Sequence, residues 1–475
     1  MKFTFHLLTT GLFFLIKLTS VYAQTAPAPY GAIPTKHQLE WQDMEYYMFI
    51  HFGPNTFTDM EWGHGDEDPK IFNPKRLDAR QWARTAKAAG MKAIIITAKH
   101  HDGFCLFPSK YSMHTVRESA WRNGEGDVLK ELSAACREYG LKFGVYLSPW
   151  DRNHPKYGTA EYNDVFAKTL KEVHTQYGPI FEQWFDGAKG QGEKKQDYDF
   201  RLFNRVVHEH NPQAIIFSDI GPGARWMGNE NGVAGETNWS TLNTDGFGVG
   251  ADAPKPEVLN KGDYQGRYWI PAEVDVSIRP GWFYSASTDS KVKTLEQLVS
   301  IYHTSVGRNA NLLLNVPVNR DGLIHPNDST RLMELRRYLD ASFKTNLIKG
   351  KQVKASGARG KQFSAQRLAD GNADTYWSPD DGVKSADITI NLGKPTQINR
   401  VVLQEYLPLG QRVREFTVLF WDNNRWQTLS NQTTIGHKRI LVFPTLTTSK
   451  LMIIFPDMGV APAISEVAVY KAPDL

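Results

Sequence analysis

Apolar runs that alternate with amphipathic helical stretches predict an α/β fold, a (β/α)8-like barrel of irregular build followed by an all-β sandwich. Three observations lead there. Residues 46–50 (YYMFI), 91–97 (MKAIIIT), 141–147 (LKFGVYL) and 214–218 (AIIFS) are short and almost wholly apolar, as strands of a parallel sheet covered on both faces are. Helical patterns separate them, and about eight such units over about 300 residues match a closed barrel. Beyond residue 349 that rhythm stops, and short alternating strands take over.

In chain order, residues 77–90 read as a helix with Asp78 near its start and Gly90 as its stop. Residues 127–139 form an amphipathic helix closed by Gly140, and residues 162–177 form the next. The fourth strand lies in residues 179–187 (PIFEQWFDG), where an apolar lead-in ends in Asp186 and is released by Gly187. Residues 197–211 are helical. Between residues 221 and 266 Gly, Asn, Pro and Asp predominate, so long loops are expected. Residues 268–276 read as the sixth strand, 294–307 as a helix, 312–316 (LLLNV) as a late strand and 329–345 as the closing helix. The early units are distinct and the seventh is not, hence the expected irregularity.

The ends of the chain read differently. Residues 1–23 have the pattern of a secretory signal: Lys2, an apolar run over residues 7–16 and a small-residue site at Val21-Tyr22-Ala23. The run is too short for a membrane span, no later segment would cross a bilayer, and export to the periplasm or beyond the cell is expected. Residues 24–36 form a linker rich in Pro, Ala and Gly, residues 37–347 the barrel, and residues 348–475 the sandwich. Strands at residues 387–392, 416–421 and 450–455 support the last assignment.

Composition narrows the partners. The net charge of +4 includes Lys2 and Lys17 of the signal segment, so nothing points to nucleic acid or an acidic polymer. Only two cysteines occur, Cys105 and Cys136, too few for a disulfide framework and in no metal-ligand spacing. Both read as reduced core thiols. The 13 tryptophans offer platforms for flat ligands or sugar faces. Nothing in the sequence sets the oligomeric state.

In a barrel, the polar clusters that follow the strands converge at one end. They are His51, His100-His101-Asp102, Asp186 and the stretch from Arg225 to Glu236. Trp184 and Asp186 share a strand face, and a carboxylate beside an indole suits a sugar site. The plain alternative is an aspartate that caps the next helix. Three histidines near an aspartate invite a metal-dependent hydrolase. Against it, His100 and His101 point to opposite faces if their strand continues, and the pair His208 and His210 falls at the wrong end of the barrel. Glycosidic chemistry needs two carboxyl groups, about 5 Å apart in a retaining enzyme. Asp186 is the natural nucleophile, and Glu230, Glu236, Glu61 and Glu273 are candidate acids among which periodicity does not choose.

The motifs HFGPNTFTDMEWG (51–63), AKHHDGF (98–104), GVYLSPWD (144–151), WFDG (184–187) and GRNANLLLNVPVNRDG (307–322) resemble, in this order, the α-L-fucosidases of glycoside hydrolase family 29. RWMGNENG and PAEVDVSIRPGWFY resemble the subgroup that removes α-1,3- or α-1,4-linked fucose from branched, Lewis-type glycans. The resemblance implies Asp186 as nucleophile and Glu230 as acid/base, with Glu236 its rival. It implies a fucose pocket of His51, His100, His101, Tyr146, Trp184, Arg225 and Trp282. Arg225 is expected beside Asp186, keeping that carboxylate ionised, and Glu230 in a less polar niche that keeps it protonated.

The tail, through LADGNADTYWSPDD (368–381) and ISEVAVYK (464–471), resembles a discoidin-like (coagulation factor C-type) domain. Relatives hold a structural calcium near that Asp/Asn-rich loop, the alternative being a metal-free turn, and no ligand residue is assigned there. The resemblance thus implies an exported, retaining exo-α-L-fucosidase acting on fucosylated oligosaccharides or glycoconjugates. It needs no catalytic cofactor and no metal ligand. A rival reading is a non-catalytic fucose- or galactose-binding protein, which would have no need of an acid opposite Asp186.

Overall fold

A computed structural model describes residues 25–475, so the expected signal at residues 1–23 lies outside the described residues. Eight parallel strands close into a barrel: β1 (Tyr46–Ile50), β2 (Ala93–Lys99), β3 (Lys142–Leu147), β4 (Ile180–Trp184), β5 (Ile215–Ser218), β6 (Ala224–Trp226), β7 (Ala272–Ser277) and β8 (Ala310–Asn315). They run around the barrel in chain order, and β8 pairs with β1 to close it. The irregularity sits at β5 and β6, which a turn joins without a helix. The stretch expected as the sixth strand divides in two. Tyr268–Trp269 pairs with Thr241–Leu242 in a small antiparallel sheet, while Ala272–Ser277 is the seventh barrel strand. The true sixth strand has three residues, too few to show a period.

Helices cover the barrel: α1 (Lys36–Gln42) ahead of it, then α2 (Ala79–Ala88), α3 (Val128–Tyr139), α4 (Glu161–Gln176), α5 (Phe200–His210), α6 (Leu295–Thr304) and α7 (Pro326–Ser342), besides shorter turns of helix. Their ends obey local chemistry. The Asp78 carboxylate accepts from the Gln81 amide at 3.0 Å and Asp127 from Lys130 at 2.9 Å, caps that contribute about 1 kcal/mol each. Gly140 stops α3 at φ 65°, a left-handed conformation that favours glycine.

The period of two in the strands separates two cores. Met48, Ile50, Ile94, Ile96, Val145, Val274 and Val276 face outward and pack with the helices. Tyr47, Phe49, Ile95, Tyr146, Trp184, Phe217 and Ala224 face inward and fill the barrel. Glu182 and Glu273 place carboxyls in that interior. Trp41 Nε1 donates to Glu182 Oε2 and Trp184 Nε1 to Glu273 Oε1, each at 2.8 Å, and the Tyr47 hydroxyl also donates to Glu273. Burial pushes Glu273 up to about 7, and burial together with the Glu273 charge pushes Glu182 well above the carboxylate range.

The second domain is an antiparallel β-sandwich of β9 (Gln352–Ala355), β10 (Ala386–Glu405), β11 (Phe416–Asp422), β12 (Arg425–Gln432), β13 (Arg439–Phe455) and β14 (Ile464–Tyr470). The order is β9-β10-β13-β11-β12, with β14 on β10. Register shifts between Asn391 and Arg400 interrupt the long β10–β13 ladder, and the strands enclose one apolar core. Buried hydrogen bonds join the domains: Ser240 N donates to Gln411 Oε1 at 2.7 Å and Asn238 N to Thr434 Oγ1 at 2.9 Å. In the Asp/Asn-rich loop, Asp370 accepts from Asn372 N and Thr375 Oγ1, and Asn372 from Asp374 N. Its side-chain oxygens thus close its own turns.

Candidate active site

A cavity of about 250 Å³ opens at the carboxyl end of the barrel strands. It collects His51, His100, His101, Tyr146, Trp184, Asp186, Glu230 and Trp282 from six separate chain segments. β4 ends at Trp184, so Asp186 emerges two residues later at the barrel rim. Its carboxylate is held in a fixed orientation: Tyr146 OH donates to Oδ2 at 2.8 Å and the Ala188 amide to Oδ1 at 2.7 Å. His101 Nε2 stands 3.5 Å from the same Oδ2.

Glu230 comes from the loop after β6 and accepts from Trp282 Nε1 at 3.3 Å. Burial raises it above its usual range, and the charges of Asp186 and Glu61 add to that effect, against the Trp282 hydrogen bond. A carboxyl in this setting holds its proton to higher pH than a free one. Trp282 is itself pinned. Its amide donates to Glu61 Oε2 and its carbonyl accepts from Asn315 Nδ2, each at 2.8 Å.

The histidines are neutral donors and acceptors. Asn315 spends its amino group on Ser277 and Trp282, so its oxygen faces His51 Nδ1 at 2.9 Å. His51 therefore carries its proton on Nδ1 and leaves Nε2 as an acceptor. Burial pushes His51 down to about 3 and His101 to about 4. His100 is held well below its usual value by burial, then by the neighbouring histidines. β2 stops at Lys99, so the backbone no longer alternates and both His100 and His101 line the cavity. An aromatic wall continues from them: Tyr146 stacks on His100 at 5.5 Å and on Trp184 at 5.3 Å, and Trp184 stacks on Phe217 at 4.1 Å. A ring with hydroxyls on one side and an apolar flank on the other fits such a lining.

Arg225 is the correction. On β6, Ala224 and Trp226 face inward, which turns Arg225 out of the barrel. Its guanidinium is fully buried and donates to the Leu259 carbonyl at 2.9 Å, to the Ile270 carbonyl, and to Asn238 Oδ1 at 2.9 Å. It neither lines the cavity nor pairs with Asp186. Arg225→Met is expected to lower unfolding free energy by about 3–5 kcal/mol, by stranding three buried acceptors. Urea unfolding followed by tryptophan fluorescence checks this, and an unchanged midpoint would deny Arg225 its structural role.

The other candidate acids separate by position. Glu236 is four-fifths exposed, 3.5 Å from Arg308 and outside the cavity. Glu273 is enclosed among Tyr47, Trp184 and Glu182 in the barrel interior. Glu61 holds the Trp282 backbone. His208 and His210 close α5, at the end of the barrel opposite the cavity. Among the described residues, no group of three or more His, Cys, Asp or Glu is placed to hold a metal ion. None of their helices is long and apolar enough to cross a membrane.

Sequence reasoning missed Phe49, Trp62, Phe217, Asp219, Trp226 and Asp275, all of which line the cavity. Trp62, Trp226 and Asp275 lie within the quoted motifs, and alternation along residues 272–277 could have found Asp275. Asp219, pushed up to about 6 by burial, accepts from the Gly250 amide at 2.8 Å.

The family model for alpha-L-fucosidase matches residues 18–343, and that for the F5/8 type C domain matches residues 352–463. Alpha-L-fucosidase 1 of Arabidopsis thaliana is 42% identical over 451 residues, covering 94% of this chain and 88% of that protein. The crystal structure of a glycoside hydrolase 29 family member from an unknown rumen bacterium superposes with a TM-score of 0.83 at 42% identity, covering 94% of this chain and 78% of that one. A glycoside hydrolase family 29 fucosidase of Ruminococcus gnavus, solved in complex with fucose, superposes with a TM-score of 0.87 at 35% identity, covering 95% and 97%.

Proposed function

The chain belongs to the α-L-fucosidases of glycoside hydrolase family 29, and from that premise we propose that it removes α-1,3- and α-1,4-linked fucose from branched, Lewis-type oligosaccharides by double displacement. Asp186 attacks the anomeric carbon while Glu230 gives its proton to the departing glycosidic oxygen. Glu230, now ionised, takes a proton from water, and that water releases fucose from Asp186 with the original configuration restored. The observation that carries the reading is the pairing on one cavity of a carboxylate fixed by Tyr146 and Ala188 with a second carboxyl that accepts from Trp282. A cavity of about 250 Å³ lies at the small end of ligand sites, which supports removal of one terminal sugar ring. The linkage preference is supported by RWMGNENG and PAEVDVSIRPGWFY, whose Trp226, Glu230, Asp275 and Trp282 all line that cavity. The signal pattern of residues 1–23 supports export.

The test is fucose release from a Lewis-type trisaccharide, 2′-fucosyllactose and an aryl fucoside, with and without chelator. The expected result is a preference of at least about tenfold for the branched trisaccharide, unaffected by chelator. Equal turnover of all three would remove the linkage claim, and no release from any would point to a binding protein.

A further inference from the structure

Deep in the cavity floor sits an acid that the two-carboxylate chemistry does not use. Along β7 the side chains of Glu273, Asp275 and Ser277 enter the barrel in succession. Glu273 meets Trp184 beneath the floor, Asp275 lines the floor, and Ser277 accepts from Asn315 nearer the mouth. Asp275 is 3% exposed. Trp226 Nε1 donates to its Oδ1 at 3.0 Å, so one oxygen is fixed as an acceptor. The charged groups that act on it are both carboxyls, Glu230 from the loop after β6 and Glu273 from its own strand. No cation is paired with it among the described residues. An aspartate so enclosed, with one neutral donor and no cation to balance a charge, is held in its protonated form. Of the carboxyls inside the barrel, Glu273 has the two donors that suit a charge, Tyr47 and Trp184.

We propose that Asp275 is a substrate-binding residue of the cavity and works as a neutral acid, its Oδ2 donating a hydrogen bond to a hydroxyl of the sugar ring bound there. This rests on the fucosidase reading of the same cavity. It gives the site a donor on the Glu230 flank, where His51 Nε2 offers only an acceptor.

The test uses the full-length enzyme and L-fucose, with titration calorimetry and infrared difference spectroscopy. Asp275→Leu, of nearly the same shape but without a donor, is expected to weaken fucose binding about 10- to 100-fold. Asp275→Asn, whose amide donates from the same position, is expected to recover all but about threefold of that loss. In wild type, adding fucose should shift a protonated-carboxyl band that is missing from Asp275→Asn. Leucine binding as tightly as wild type, asparagine failing as badly as leucine, or no such band would each overturn the proposal. If the leucine variant does not fold, the asparagine affinity and the infrared band still decide. Wild type that fails to bind fucose at all would sink the fucosidase reading and this proposal with it. Wild type that binds, with an indifferent Asp275→Leu, sinks this proposal alone.

Discussion

Asp186→Ala is expected to reduce kcat/KM for fucosylated oligosaccharides on the order of 10⁵-fold, with little change in unfolding midpoint. The size follows from the role: without a carboxylate at the anomeric carbon no covalent intermediate forms, and the cavity offers no substitute at that position. Asp219, pushed up to about 6 by burial and held by Gly250, is committed elsewhere. The mild effect on folding follows from exposure, since the Asp186 side chain is 21% exposed and its partners are one hydroxyl and one amide. Tyr146 loses an acceptor but can turn to solvent in the emptied site. Azide should enter the vacated face and yield a β-configured fucosyl azide by a single displacement. Activity within tenfold of wild type would reject Asp186 as nucleophile, whatever the fold does.

How much of this was legible in the sequence depended on how many residues each element gave to its period. β1 to β5 were read because each has at least four residues, three or more of them apolar. β6 was not, because Ala224–Trp226 is short and no helix separates it from β5. The resemblance alone put Arg225 in the pocket, and only the alternation of β6 shows that Trp226 faces in and Arg225 out. The same alternation, applied to residues 272–277, would have placed Glu273 beneath the floor and Asp275 in it. His100 and His101 needed the strand end at Lys99, a boundary that propensity locates only to within a few residues. Glu230 and Glu236 lie six residues apart in one loop, and only tertiary contacts separate them, Trp282 for one and Arg308 for the other.

The second large effect concerns Glu230. Glu230→Ala should slow release of fucose from natural oligosaccharides by about 10²- to 10⁴-fold, because a sugar alkoxide cannot depart without a proton. An aryl fucoside with an acidic phenol needs no proton, so its first step should survive and the fucosyl-enzyme should accumulate for want of a base. Azide needs no base, so it should restore turnover and give the α-configured fucosyl azide, the stereochemistry of two inversions at one carbon. A β product would mean direct attack on the substrate and no intermediate. The pH profile tests the same residue independently. Burial raises Glu230, so wild-type activity on natural substrates should persist above the usual carboxylate range and fall as pH rises through its ionisation. In Glu230→Ala with aryl fucoside and azide that alkaline fall should vanish, since the only group that had to stay protonated is gone. If Glu236→Ala shows the rescue and the lost limb instead, the acid/base lies in the loop beside Arg308, and the loop must close over the cavity during turnover.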